Sequence, residues 1–135
     1  MTDVSWLQLA IIVCATIVAI LLLIAWHKSR PFAPGDVFRA SRFSRGNHLF
    51  PTQVLIGPTS VVQYKPRWIG RQEETIHMAH VASVKIDTHL LLSDVDIETS
   101  GGTDPIRCHG HRKSDAVQMK DLIERFQTAY YKSRE

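Results

Sequence analysis

Seven histidines, two cysteines and a pair of closely spaced aspartates are the residues in this 135-residue sequence whose types and spacing can do chemistry. His77 and His80 stand three apart. His109-Gly110-His111 sets two imidazoles two apart beside Cys108, so that on an extended strand both rings face one side. A transition-metal centre wants three or four such ligands converging, and these intervals follow no zinc signature. The expectation is no metal, with the histidines on the surface or in turns, some bonded to backbone. Asp94 and Asp96 have the Asp-x-Asp spacing that holds a divalent ion in phosphate or sugar transfer. No glycine-rich phosphate loop accompanies them, so they read as solvated carboxylates opposite a buried Val95 and Ile97. Gly101-Gly102 reads as a hairpin turn. Cys108 has no motif that would make it a nucleophile and reads as a packed thiol. No order of Ser, His and Asp suggests a triad. The chain is expected not to be an enzyme, with no catalytic residues and no cofactor; a metal-dependent enzyme built on the His and Asp clusters is the third of three functional readings.

The elements that must carry these residues begin with an apolar run. Between Trp6 and Trp26 only Gln8 and Thr16 are polar and nothing is charged. At the helical rise this stretch spans about 28 Å, close to the hydrocarbon thickness of a bilayer, with an indole at each end. Residues 6–26 are therefore expected to form one transmembrane helix after a tail of residues 1–5. Ala15 and Ala19 make a small-x-x-x-small pair suited to helix–helix contact. A cleaved secretory signal would need a basic start and a shorter core, which Met1-Thr2-Asp3 and this run do not supply. All 16 Lys and Arg lie from Lys28 onward, which predicts an N-out, C-in topology. The excess over the acids is small, so the part after the span suits an anionic leaflet and gives no sign of nucleic-acid binding. Cys14 in the span and Cys108 beyond it cannot easily pair, in keeping with a reducing compartment.

Residues 27–48 read as a basic juxtamembrane linker, broken by Pro31, Pro34 and Gly35, in which Lys28, Arg30, Arg39, Arg42 and Arg45 can lie along headgroups or simply enforce topology. From there to residue 135 the pattern is that of one small domain. Strands are expected at 52–56, 60–64, 73–77, 81–86, 94–99 and 105–109, a meander curling into a sandwich or barrel. From Asp115 to about Lys132, Met119, Leu122, Ile123, Phe126, Ala129 and Tyr130 form one helical stripe, capped by Ser114 or Asp115 and suited to plugging the curled sheet. Asp121 and Arg125 are placed to pair on its wet side.

Over residues 49–132, the run Gly70-Arg71, Ile76, Val81 to Val84, Leu91 to Gly102 and Ile106, closed by that helix, resembles the bacterial PH-like domains of small membrane-anchored proteins. The resemblance implies a mainly β, PH-like barrel or sandwich with one C-terminal helix, in the bacterial inner membrane, acting as a non-catalytic module; some relatives look like helpers in building membrane complexes. It does not imply phosphoinositide binding, because the loop taken as the first hairpin, Gly57-Pro58-Thr59-Ser60, carries no cation. In the next loop Lys65, Arg67 and Arg71 surround Trp68 and Ile69. That loop can meet lipid, dock on protein, or fold back on the barrel wall. The leading expectation is a subunit or assembly factor of a membrane complex; the alternative is a peripheral sensor of anionic lipid using Lys65 to Arg71.

Overall fold

The computed structural model describes residues 5–28, 30–102 and 104–135. It divides into two units, one ending at Arg30 and one running from Pro31 to Glu135. In the first, α1 spans Trp6–Lys28, two residues beyond the expected end. Ser5 opens it, its carbonyl accepting from the backbone N–H of Gln8 at 2.8 Å. Thr16 returns its hydroxyl to the Ile12 carbonyl at 2.8 Å, so the one hydroxyl within the apolar run is satisfied inside the helix. Side chains from Trp6 to Ile24 are exposed on every face, and with a mean hydropathy of 3.0 the helix is long and apolar enough to cross a membrane.

The second unit holds two antiparallel sheets and a helix. A four-stranded sheet runs in the order β1 (Asp36–Arg39), β2 (Gln53–Ile56), β3 (Ser60–Pro66) and β4 (Arg71–His77). A single 3-10 turn, Met78–His80, leads to the three-stranded sheet of β5 (Val81–Thr88), β6 (Leu92–Thr99) and β7 (Ile106–Arg112). The sheets are not closed into a barrel. Alternation decides which faces turn inward: Val61 and Gln63 on β3, and Ser93, Val95 and Ile97 on β6, are buried while their neighbours are not. Gln63 meets part of the cost of its burial by donating to the Arg107 carbonyl at 2.7 Å, while its Oε1 has no partner among the described residues.

α2 (Lys113–Lys132) packs Ala116, Met119 and Ile123 into the core formed by Val54, Ile56, Ile76, Met78, Val95 and Ile106, with Leu122, Phe126 and Tyr130 half-buried beside them. At intervals of three and four, these positions share one face. Ala129 lies outside that stripe, exposed. The helix begins two residues before the expected start, so Ser114 and Asp115 sit inside its first turn and Arg112 stands at the cap without a side-chain bond. The ion pair on its wet side is Lys120–Glu124 at 3.8 Å rather than Asp121 with Arg125.

Three expectations need correction. Residues 27–48 are not only a linker: Asp36–Arg39 pairs with Gln53–Ile56 as β1, and Phe32 joins the domain by stacking on Tyr64 and donating its N–H to Gln53. The domain's first hairpin is therefore β1–β2, whose connection, residues 40–52, carries Arg42 and Arg45; Gly57 to Ser60 closes the second hairpin. The inference from a cation-free first hairpin does not hold. His109 and His111 do not share a face either. Ser93 pairs with His111 but Val95 with Cys108, so β7 holds one extra residue opposite Asp94, and Gly110 takes it up at φ 75°. The bulge turns His109 outward and buries His111.

Candidate functional site

In the four-stranded meander the connections after β1 and after β3 leave the sheet at the same end, because alternate turns of an antiparallel sheet share an edge. The β3–β4 loop is shorter than expected: Lys65 belongs to β3 and Arg71 to β4, leaving residues 67–70 as the turn, closed by the Arg67 N–H on the Gly70 carbonyl at 3.3 Å. Gly70 has φ 79°, a conformation only glycine adopts readily. Arg67 donates to Gln72 at 2.6 Å, Gln72 donates to Glu74 at 2.9 Å, and Arg71 lies 3.7 Å from Glu73. Trp68 stands edge-on to Phe50, ring centres 4.7 Å apart, and is still 48% exposed; Ile69 is 94% exposed. An open groove of about 640 Å³ runs between Leu49–Phe50 and Pro66–Ile69.

The 40–52 connection is itself held firmly. Ala40 N–H reaches the Thr52 carbonyl at 2.8 Å and Ser41 N–H the Gly110 carbonyl at 2.7 Å, tying the connection to the β7 bulge. Asn47 is buried; it accepts from the Thr52 N–H at 3.0 Å and donates to the His109 carbonyl at 3.4 Å. Ser44 lies so close to Gly110 that an added Cβ there would stand 2.0 Å from its Oγ. From this base the connection presents Phe43, 94% exposed, between Arg42 and Arg45.

On its other side a second groove, of about 560 Å³, separates Ser44–Arg45 from the β5–β6 turn at His89–Leu92. Under that turn lies a cluster which spacing alone did not reveal. Asp94 accepts the Gly110 N–H at 2.8 Å on one oxygen; the other lies 3.2 Å from both His89 Nε2 and His109 Nδ1. Partial burial opposes ionisation of Asp94, but the Gly110 N–H and the two imidazoles outweigh it and hold the carboxyl below its usual range. A carboxylate bonded to an imidazole can orient a general base. Here one carboxylate fastens the bulge of β7 to the root of the β5–β6 turn. The signal in the sequence was the glycine inside a strand pattern, which marks a bulge.

The remaining chemistry-bearing residues are placed as follows. His77 Nδ1 accepts the Ala79 N–H at 3.2 Å and caps the 3-10 turn, with its ring 6.4 Å from that of His80. Asp96 shares the outer face of β6 with Asp94. Cys108 is buried, which pushes its thiol up to about 12. Burial pushes His111 down to about 4, and neither of its ring nitrogens has a hydrogen-bond partner among the described residues. Among those residues no group of three or more His, Cys, Asp or Glu is arranged to hold a metal ion. Lys28 ends α1, and Arg30 lies over the Trp26 ring at 5.4 Å. Arg39 closes β1. Ala15 and Ala19 lie on one exposed face of α1. Comparison with family models, curated proteins and solved structures gives no match to this chain.

Proposed function

We propose that this chain is a non-catalytic, single-span membrane protein with a PH-like cytoplasmic domain, working as a subunit or assembly factor of a larger complex in a bacterial inner membrane. The order of elements supports the PH-like assignment: four antiparallel strands, then three, then one helix seated on the core. The cations after the span support the cytoplasmic placement. The observation that carries the functional reading is α1 itself: it is apolar on every face, and Ala15 and Ala19 allow close approach of another helix.

The alternative, a sensor that grips an anionic headgroup through Lys65 to Arg71, is less well served. Arg67 is engaged by Gln72 and Arg71 faces Glu73, so a selective headgroup grip would have to displace both. The test is mild detergent extraction from native membranes followed by mass analysis of the intact assemblies. The subunit reading expects a fixed stoichiometric set of membrane proteins that is lost in an Ala15→Leu, Ala19→Leu variant. A lone chain carrying only lipid contradicts it.

A further inference from the structure

Outside α1, eight large apolar side chains of the described residues are exposed, and six of them lie on three connections: Phe43 and Leu49 in 40–52, Trp68 and Ile69 in 67–70, and Leu90 and Leu91 in the β5–β6 turn. Val117 and Tyr131 on α2 are the other two. These connections are distant in sequence and adjacent in space. One groove joins 40–52 to 67–70 and the other joins 40–52 to the β5–β6 turn, so the three tips stand side by side at one end of the domain. Phe43, Ile69, Leu90 and Leu91 are each at least 80% exposed. Trp68–Ile69 and Leu90–Leu91 are exposed as consecutive pairs, with open grooves between their loops and the 40–52 connection.

We infer that this three-loop end is a bilayer-docking end, in which Phe43, Trp68, Ile69, Leu90 and Leu91 enter the interfacial layer of an anionic membrane while Arg45 meets lipid phosphates. Shape and charge select this occupant. A protein interface of useful affinity packs to interior density, which separated tips with open grooves between them do not offer a rigid partner. Fluid lipid fills such spaces. Phe and Trp suit the headgroup boundary, and basic residues beside an anionic surface add about 1 kcal/mol each. The tips are also pre-ordered. Asn47, Ser41 and the Asp94 clamp fix the connections from beneath, so little chain entropy is lost on docking. The docking goes beyond complex membership and rests on the proposed membrane placement, since a domain joined to a span meets the bilayer at high effective concentration and weak insertion suffices.

The test uses the full chain with Trp6→Phe and Trp26→Phe, leaving Trp68 as the one indole, reconstituted in vesicles of phosphatidylglycerol and phosphatidylcholine. Trp68 emission is expected to be blue-shifted and to lose most of its intensity when the lipids carry bromine near the headgroup. Leu90→Ser with Leu91→Ser, on a different loop from the reporter, should restore a water-like spectrum with the fold intact by near-ultraviolet circular dichroism. Arg45→Gln should lower the docked-to-free ratio about fivefold, the factor that corresponds to about 1 kcal/mol. If the chain resists alkaline extraction yet Trp68 stays water-like and unquenched by brominated lipid, the inference is overturned and the span reading stands. If alkaline extraction releases the chain, the membrane placement fails and the inference with it. Trp68 shielded in native membranes but not in purified lipid assigns this end to a protein and overturns the inference as well.

Discussion

The two ends of the β-domain are built from the same kind of hairpin and finished in opposite ways. At one end the turn at Pro58–Thr59, the 3-10 turn and Ser100 are laced together, Met78 N–H to the Thr59 carbonyl and Ser100 N–H to the His80 carbonyl, each at 2.8 Å. The second half of α2 covers this end, Gln127 donating to the Val81 carbonyl at 2.7 Å. Apart from Met78, which is buried in the core, its turn residues are small or polar. The other end is laced as tightly, through Asn47, Gly110 and Asp94, yet its turns carry Phe43, Trp68, Ile69, Leu90 and Leu91. Apolar tips that contribute nothing to the core are not needed for folding, and that contrast is what the proposed contact role of the loop end rests on.

The largest expected effect lies at the core beneath α2. Met119→Ala removes a fully buried side chain and should cost about 2–5 kcal/mol by chemical denaturation of the full chain in detergent. Next is a pH effect. His111 is held near 4 against about 6.5 in the unfolded chain, so above 6.5 both states are neutral and the native state carries no penalty. As pH falls from 6.5 to 4 the unfolded state takes up the proton first, and stability should drop by about 3 kcal/mol. In His111→Leu this part of the pH profile should flatten.

At the loop end, Gly110→Ala should cost about 1–3 kcal/mol, because φ 75° is unfavourable for alanine and its Cβ would press on Ser44. Asp94→Asn should cost about 1 kcal/mol and raise amide exchange at the β5–β6 turn. Lowering the pH through the depressed pKa of Asp94 should loosen the wild-type turn in the same way. Smallest is Ile69→Ser, expected to change stability by less than about 0.5 kcal/mol while weakening vesicle contact. A core-sized loss there would break the contrast between the ends.

Much of this was legible in the sequence, for identifiable reasons. The long apolar helix, six of the seven strands and the amphipathic stripe of α2 follow from hydrophobic pattern, which burial enforces at Val61, Val95, Met119 and Ile123. β1 was hidden because it is four residues long and its apolar pair, Val37 and Phe38, is only half-buried. The histidines at 109 and 111 were misplaced because a bulge resets the strand period. The Trp68 loop stood out by composition. Its neighbours did not, because a lone apolar residue in a loop is ordinary, and the grouping of 43, 68 and 90 is a product of tertiary pairing.

Amide hydrogen exchange on the full chain, compared between vesicles with and without phosphatidylglycerol, tests the central claim most directly. Added protection confined to residues 40–52, 67–70 and 89–91, with Pro58–Thr59 and α2 unchanged, is the result this account expects. Unchanged exchange in all three loops, or protection spread over α2, would contradict it.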